Sequence, residues 1–301
     1  MFGVTILGNN SAIPTPTRHP TSQAVYIDDQ VLLLDCGEGT QMQMHRYKIK
    51  RSKINYIFIS HLHGDHYFGL IGLLNSFALI GRKDDLHLFA PEPLFGLIDL
   101  QMQLADSEFP YTIHRYPLKE EGEIAHSNTF TVKCFRVKHR IECWGFAIMQ
   151  KQKLRKLNIE AVKKYLIPTA AYYSIKKGED YMTSEGNIIP NKLLTIDPPK
   201  GKVYAYCADT LFTDSFLHHI ADADMIYHES TYLKDMEEKA FKRFHSTAEQ
   251  AATIARRANV KRLMIGHFSS KYEFLEPFES EARQVFENTE IAREGVTYLL
   301  K

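Results

Sequence analysis

Short apolar runs rich in β-branched residues recur along the whole chain and alternate with longer segments of helical periodicity. Such runs, bounded by polar or turn-forming residues, are typical of buried strands. They predict seven strands, at 4–7, 31–34, 54–59, 131–137, 202–206, 223–227 and 261–265. Apolar positions spaced along one helix face predict helices over 67–80, 93–104 and 247–258. Because strands and helices alternate, the pattern indicates a layered α/β protein.

The helix predicted over 247–258 carries a start signal. Ser246 is followed three residues later by Glu249, the pattern of a capping box in which each side chain satisfies a backbone N–H of the other residue. This places His245 immediately outside the N-terminus of the helix. The helix dipole disfavours a protonated imidazole there, and a carboxylate partner would oppose that effect.

Potential metal ligands are concentrated where the strand 54–59 ends, in the run His61-Leu62-His63-Gly64-Asp65-His66. His61 and His63 lie two residues apart, so extended backbone directs both imidazoles to the same side. Gly64 allows a tight reversal that returns Asp65 and His66 toward them. Imidazole and carboxylate are natural zinc ligands, and four of them exceed the three that one catalytic zinc ion uses. The run therefore predicts two metal ions.

Three further donors, His139, Asp209 and His267, each follow an apolar run elsewhere in the chain. Sites in layered α/β folds form where strand ends meet, so these residues are placed to converge on the first cluster. A single His or Asp at a strand end is more often a surface or hydrogen-bonded residue. Taken together with the first cluster, the three indicate a site for two metals.

Composition excludes several classes of protein. Of the 301 residues, 44% are apolar and 24% charged, which excludes disorder and allows one large domain or two small ones. Lys plus Arg (37) nearly balance Asp plus Glu (36), so the chain is not uniformly cationic. The four cysteines form no C-x-x-C pair, which argues against a disulfide framework or a thiolate zinc site. They are expected to be small buried apolar residues.

Nothing in the sequence predicts a membrane span or export. The longest uncharged apolar stretch, residues 67–81, is shorter than the roughly 20 residues that a spanning helix needs, and we expect a buried helix there. The first residues have no basic region and no small-residue cleavage site, so we expect a cytoplasmic protein that does not contact a membrane.

The segment 151–202 differs from the rest of the chain in charge. It contains eleven Lys or Arg and five Asp or Glu, a net +6, together with several tyrosines, prolines and glycines. This pattern is typical of an arm inserted between two halves of a core. A solvated linker is the simpler interpretation, and a phosphate-binding arm is the functional one.

These motifs resemble those of the metallo-β-lactamase fold superfamily and, within it, the ribonuclease Z family of tRNA 3′-processing endonucleases. The six-residue run His61 to His66 is the superfamily signature. The stretches that resemble the ribonuclease Z family follow its order along nearly the whole chain: 8–15, 35–41, 208–210, 228–232 and 245–247.

The resemblance implies a fold, an activity and an assembly. It implies a four-layer αβ/βα sandwich, with 1–301 as a single domain and 152–196 as an inserted flexible arm that binds tRNA. It implies a zinc-dependent endoribonuclease that removes the 3′ trailer from tRNA precursors, leaving a 3′-hydroxyl on the tRNA and a 5′-phosphate on the trailer. Two zinc ions per subunit and a homodimer are also implied.

The resemblance also assigns roles to residues. One zinc ion would be held by His61, His63 and His139, the other by Asp65, His66 and His267, with Asp209 bridging the two. Asp65 would also accept a proton, and His245, oriented by Glu229, would donate one to the departing 3′-oxygen. Asp35 would support a ligand histidine. Substrate contacts would come from Arg18 in the N-terminal loop and from Lys176 and Lys177 in the arm.

Two stretches depart from the family pattern. The loop after the first strand reads Pro16-Thr17-Arg18-His19 where the family has Lys-x-Arg-Asn, and the arm lacks the family's Gly-Pro element.

The alternative function is a small-molecule phosphodiesterase or an arylsulfatase-like hydrolase of the same superfamily. A metal-free RNA-binding relative is a third possibility, against which the intact ligand positions argue.

Overall fold

Two seven-stranded sheets, packed face to face, form the main unit of the protein in a computed structural model that describes residues 1–300. Strands are numbered in chain order. The first sheet contains, from edge to edge, β18 (Thr297–Leu299), β1 (Phe2–Gly8), β2 (Ser22–Ile27), β3 (Gln30–Leu34), β4 (Ile54–Phe58), β5 (Leu86–Ala90) and β6 (Ile113–Pro117). The second contains β17 (Thr289–Ile291), β16 (Leu263–Gly266), β15 (Met225–Glu229), β14 (Val203–Tyr206), β9 (Trp144–Gln150), β8 (Phe130–Arg136) and β7 (Gly122–His126).

Each sheet has a parallel half and an antiparallel half. Strands β3 to β6 run parallel in the first sheet, as do β14 to β17 in the second. The remaining pairs, such as β1 with β2 and β9 with β14, are antiparallel. The parallel halves matter for the site, because the carboxyl ends of parallel strands meet at one edge of a sheet.

The main unit also contains helices. They are α1 (Thr40–Arg46), α2 (Gly64–Tyr67), α3 (Leu70–Leu79), α4 (Pro93–Leu104), α8 (Leu217–Ile220), α9 (Glu237–Arg243), α10 (Ala248–Arg257) and α11 (Glu276–Arg283). Helices α1, α3 and α4 share a buried core with the first sheet, and α10 packs on β15 and β16. The predicted four-layer αβ/βα sandwich is confirmed.

The core between the sheets is aromatic. Phe58 of β4 lies 4.8 Å from Phe89 of β5 and 5.4 Å from Phe146 of β9, measured between ring centroids. Trp144 and Tyr206 are also fully buried in this core. Large rings that interdigitate between the layers fix the distance between the sheets, and so the distance between the strand ends that carry the site.

Residues 150–201 form a second compact unit. It contains the two-residue strands β10 (Lys156–Leu157), β11 (Tyr181–Met182), β12 (Ile188–Ile189) and β13 (Thr195–Ile196), and the helices α5 (Ile159–Lys164), α6 (Tyr172–Lys177) and α7 (Asn191–Leu194). Five buried aliphatic residues form its small core: Val162, Ile167, Ile175, Ile189 and Leu194.

Among the described residues, every helix is too short or too polar to cross a bilayer.

Two local predictions need correction. The capping box lies one residue later than Ser246: Thr247 is the N-cap and pairs with Gln250, while the Ser246 hydroxyl donates to the carbonyl of Thr210 at 2.7 Å. Residues 67–81 do not form one buried helix. The segment divides into α2 and α3, and Leu79 is 87% exposed.

Every one of the seven predicted strands overlaps an observed strand, and α4 has the predicted bounds. The four cysteines are buried, as expected.

Candidate metal centre and active site

Loops at the strand ends bring seven potential metal ligands together. His61 lies three residues beyond β4, His139 three beyond β8, Asp209 three beyond β14, and His267 immediately after β16. Helix α2, which begins at Gly64, carries Asp65 and His66. A Cβ on Gly64 would lie 2.1 Å from the ring of Phe68, so a larger residue there would displace this exposed ring, whereas the backbone of Gly64 is not reversed.

One ligand group consists of His61, His63, His139 and Asp209, whose donor atoms lie within 4.8 Å of one another. Nδ1 of His63 is 3.1 Å from Nε2 of His61 and 3.0 Å from Nε2 of His139. Burial lowers the pKa of His61 well below its usual value, and burial together with the neighbouring His139 lowers that of His63 to about 4. These imidazoles are therefore neutral at pH 7, the form that ligates a metal.

A second group, Asp65, His66 and His267, adjoins the first. Nε2 of His267 is 3.3 Å from both Nε2 of His66 and Oδ2 of Asp65. Asp209 lies between the groups: Oδ2 is 3.8 Å from Nε2 of His61, and Oδ1 is 3.2 Å from Nε2 of His267. Within residues 1–300, this buried Oδ1 has no hydrogen-bond partner, so a cation that it shares with both groups would satisfy it.

Hydrogen bonds to the ring nitrogens that face away from the ligand groups orient three of the histidines. Nδ1 of His66 lies 2.7 Å from Oδ2 of Asp35, and Nδ1 of His139 lies 2.9 Å from the carbonyl oxygen of Phe244. Nδ1 of His267 lies 2.9 Å from the hydroxyl of Thr231. Each of these partners can accept a hydrogen bond from the N–H at Nδ1, which leaves the Nε2 lone pair directed into the ligand groups. The expected support of a ligand histidine by Asp35 is confirmed.

Asp35 is fully buried, and its carboxylate accepts several hydrogen bonds. It accepts hydrogen bonds from the backbone N–H of Ser60 at 2.7 Å, the hydroxyl of Ser60 at 2.8 Å and the hydroxyl of Tyr206 at 2.6 Å. The Ser60 hydroxyl also lies 3.0 Å from Nδ1 of His61. One carboxylate thus orients residues of both ligand groups.

Several residues around the site have positive φ angles although they are not glycine. They are Ala12, Asp35, Ala208, Phe244 and His267, with φ between 48° and 60°. A positive φ costs energy for a residue with a Cβ and persists where the surrounding structure enforces it. At Ala12 the positive φ accompanies a contact with the site: its backbone N–H donates to Oδ2 of Asp65 at 2.7 Å.

His245 and Glu229 form a pair beside the ligands. Nδ1 of His245 lies 2.8 Å from Oε1 of Glu229, which is fully buried at the end of β15. Burial alone would lower the pKa of His245, but the Glu229 carboxylate outweighs it and raises the pKa to about 9. The Glu229 carboxylate also accepts the backbone N–H groups of Thr210 and Thr231. The pair therefore favours a protonated His245, held in place by an ionised partner.

Members of both ligand groups and His245 line one cleft of about 530 Å³. Its polar interior contains His63, Asp65, Asp209 and His267, and Ile13, Phe68 and Tyr232 supply apolar surface. Two arginines that sequence reasoning missed, Arg140 and Arg243, also line it. The adjacency of Arg140 to His139 was an available signal, whereas nothing in the local sequence points to Arg243. A cleft with metal ligands, an acid and cationic walls can bind and hydrolyse a phosphate ester.

Comparison with known proteins identifies the family. A curated ribonuclease Z from Parabacteroides distasonis is 40% identical to the chain over 298 residues, covering 98% of both chains. The chain belongs to the ribonuclease Z family. Its first half also falls within the family described as "Anti-Pycsar protein Apyc1", whose model matches residues 2–155. Membership in the ribonuclease Z family makes the chain an endoribonuclease, a phosphodiester hydrolase.

Solved structures agree with ribonuclease Z membership. The chain is similar to the crystal structure of human tRNase Z, short form, with a TM-score of 0.71, 25% identity and 99% of both chains covered. It is also similar to the metallo-β-lactamase fold protein YhfI from Bacillus subtilis, with a TM-score of 0.70, 18% identity and coverage of 99% of this chain and all of that one. The second likeness shows the metallo-β-lactamase fold alone.

The ribonuclease Z resemblance suggests Arg18, Lys176 and Lys177 as substrate contacts, and Arg18 does not line the cleft. Arg18 is only 9% exposed, and its Nη2 donates to the carbonyl of Tyr272 at 2.7 Å and of Ser269 at 3.5 Å. It therefore braces the loop 269–272, part of which lines the cleft. Lys176 and Lys177 lie in the last turn of α6 in the second unit.

Proposed function

We propose that this chain is a zinc-dependent endoribonuclease that removes the 3′ trailer from tRNA precursors and leaves a 3′-hydroxyl on the tRNA and a 5′-phosphate on the trailer. The observation that carries the proposal is the arrangement of seven donors in two adjoining groups that share Asp209 at the floor of one cleft. Family membership supports the reaction, and the comparisons do not favour the small-molecule alternative.

Five imidazoles and two carboxylates are a donor set that suits zinc. His61, His63 and His139 would hold one ion, and Asp65, His66 and His267 the other, with Asp209 shared. When bound, the two ions supply Lewis-acid activation of water and neutralise charge on the phosphate.

The protein's own residues carry the proton transfers. Asp65 is the proton acceptor in this proposal: its Oδ2 receives the N–H of Ala12, and its pKa stays well below the usual value because His66 and His267 outweigh the cost of burial. His245 donates to the departing 3′-oxygen. Its Nδ1 is engaged by Glu229, which leaves Nε2 for the leaving group.

Residues 152–196 serve in this proposal as the tRNA-binding arm of the single domain 1–301. The support is the net +6 charge of segment 151–202 and the independent compactness of residues 150–201. Lys176 and Lys177 end α6, where cations also interact favourably with the helix dipole. Cationic side chains on such a unit can neutralise phosphates of the RNA and release condensed counterions.

The proposed enzyme is a cytoplasmic homodimer with two zinc ions per subunit. Four buried, unpaired cysteines are consistent with a reducing compartment. The dimer rests on the family resemblance, and sedimentation velocity of the purified protein would test it.

The decisive experiment is incubation of the purified protein with a 3′-extended tRNA precursor, with and without a chelator, and mapping of the cut. We expect cleavage immediately after the discriminator base, with loss of cleavage on chelation and in Asp65→Ala. Cleavage that persists in the chelator, or a cut elsewhere in the RNA, would contradict the proposal.

A further inference from the structure

Two arginines line the active-site cleft without an acidic partner. Arg140 and Arg243 are both exposed and both line the cleft. Among residues 1–300 neither forms an ion pair, whereas other surface arginines do: Arg115 binds both oxygens of Asp99, and Arg257 binds Asp214. A guanidinium without a carboxylate, beside a site that cleaves a polyanion, is available to bind phosphate.

Arg140 lies next to the ligands themselves. Its Nη2 is 3.0 Å from Nε2 of His63, the ring nitrogen that does not face the ligand group. A guanidinium can only donate, so this contact requires Nε2 to be an acceptor. If Nδ1 of His63, which faces the ligand group, were to hold a cation, the proton of the neutral ring would be on Nε2. The guanidinium of Arg140 would then lose this contact and could bind an anion in the cleft.

Arg243 is held near the site by its neighbours in sequence. It ends α9, and the next residue, Phe244, adopts a φ of 60°. The carbonyl of Phe244 accepts from Nδ1 of His139, and the following residue is His245. Since the backbone on its C-terminal side is fixed to a ligand and to the acid, Arg243 stays beside the reacting groups although its side chain is exposed.

We propose that Arg140 and Arg243 are substrate-binding residues that hold the RNA phosphates adjacent to the scissile linkage. The proposal rests on the proposed function. The guanidinium fork matches two oxygens of one phosphate, and a charge-assisted hydrogen bond of this kind is stronger than a neutral one. A small phosphodiester has no adjacent phosphates, so these contacts distinguish an RNA chain from a minimal ester.

The test compares Arg140→Ala and Arg243→Ala with Arg256→Ala, which removes an exposed arginine of α10 that does not line the cleft. On a 3′-extended tRNA precursor we expect KM to rise about tenfold to a hundredfold, the range for a lost charged hydrogen bond. The kcat should change little, because the contact forms equally in the ground and transition states. Hydrolysis of bis(p-nitrophenyl) phosphate should fall less than precursor cleavage in both arginine variants, because this ester lacks adjacent phosphates, and should be unchanged in Arg256→Ala.

A binding measurement provides a readout without turnover. With a precursor that carries a non-hydrolysable methylenephosphonate at the cut site, each arginine variant should weaken binding. It should also reduce the salt dependence of log Kd by about one phosphate contact. Arg140→Lys should keep the salt dependence while it loses part of the affinity, because the charge remains but the fork is gone.

Substrate modification identifies the contacted phosphate. A neutral methylphosphonate placed at one position beside the cut should slow cleavage of the precursor by the wild-type enzyme. The variant that lacks the matching arginine should cleave the modified and the unmodified precursor at the same rate. Variants that behave like Arg256→Ala on the precursor would overturn the inference. So would equal losses on the precursor and the small diester. If the wild-type enzyme fails to cut the precursor at all, it is instead the proposed function that is wrong.

Discussion

Glu229 and His245 form a buried carboxylate and imidazole pair whose nearest atoms, Oε1 and Nδ1, are 2.8 Å apart. The pair is continuous with the ligands, because the hydroxyl of Thr231 donates to Oε2 of Glu229 at 2.8 Å and lies 2.9 Å from Nδ1 of His267. One short chain of hydrogen bonds therefore links the proposed proton donor to a proposed metal ligand. Sequence spacing gives no indication of this link through Thr231.

Replacement of His245 by alanine should lower kcat by about 10²- to 10⁴-fold, the usual contribution of a general acid. KM and precursor binding should change little, because the imidazole acts on the departing oxygen rather than on substrate docking. Glu229→Gln should show a smaller loss of kcat, since the imidazole remains but loses its ionised partner. Steady-state kinetics on a tRNA precursor measures both effects, and His126→Ala, at an exposed histidine, is the control. Unchanged turnover in His245→Ala would remove this residue from the mechanism.

Asp35 is expected to control metal affinity without contacting the metal. Asp35→Asn weakens the acceptor for Nδ1 of His66, so the apparent zinc affinity should fall about 10- to 100-fold, as for other residues that orient ligands. Competition with a fluorescent chelator measures the affinity, and circular dichroism confirms that the variant folds. Asp29→Asn, at an exposed position, is the matched control. Equal affinities in the two variants would contradict the role assigned to Asp35.

The ligand run was predictable from sequence because its chemistry is local. Within six residues, His61 to His66 contain four donors, and a strand pattern precedes them. The remote ligands could be proposed for a related reason, since His139, Asp209 and His267 each follow an apolar run. The likeness of several stretches to one family then supplied the grouping of the ligands.

Other features of the site could not be predicted, since they depend on tertiary packing. The strands β2, β5 and β9 complete the sheets that set the cleft, yet their patterns were not recognised. The position of Arg18 under the loop 269–272 depends on a contact between residues about 250 positions apart. The N-cap of α10 is Thr247 rather than Ser246 because two overlapping capping patterns compete, and the tertiary hydrogen bond from Ser246 to Thr210 decides between them.

Removal of metal should destabilise the protein as well as abolish cleavage. A ligand that binds only the folded state adds about 4 kcal/mol of stability at a thousandfold excess over its Kd. We therefore expect zinc to raise the Tm of chelator-treated protein, and Asp209→Ala to lose most of this increase, since Asp209 faces both ligand groups. Differential scanning calorimetry checks the shift, and elemental analysis should give two zinc ions per chain. A Tm that does not respond to zinc would contradict the metal centre.

The arm is expected to serve RNA binding and not the chemical step. Deletion of residues 152–196, closed with a short Gly-Ser linker, should lower kcat/KM on a tRNA precursor at least tenfold at physiological salt, because the phosphate contacts made by its cations are lost. Hydrolysis of bis(p-nitrophenyl) phosphate should remain near the wild-type rate, because none of the proposed ligands lies in the deleted segment.

A milder variant guards against misfolding of the deletion. Lys176→Ala with Lys177→Ala leaves the buried core of the arm intact, since both side chains lie outside that core. It should reduce the salt dependence of precursor binding by about two phosphate contacts. Lys48→Ala with Lys50→Ala removes the same charge from exposed positions of the main unit and is the control.

For the deletion of residues 152–196, equal losses of activity on the precursor and on the small ester would show that the segment supports the fold of the catalytic unit. The assignment as a tRNA-binding arm would then fail.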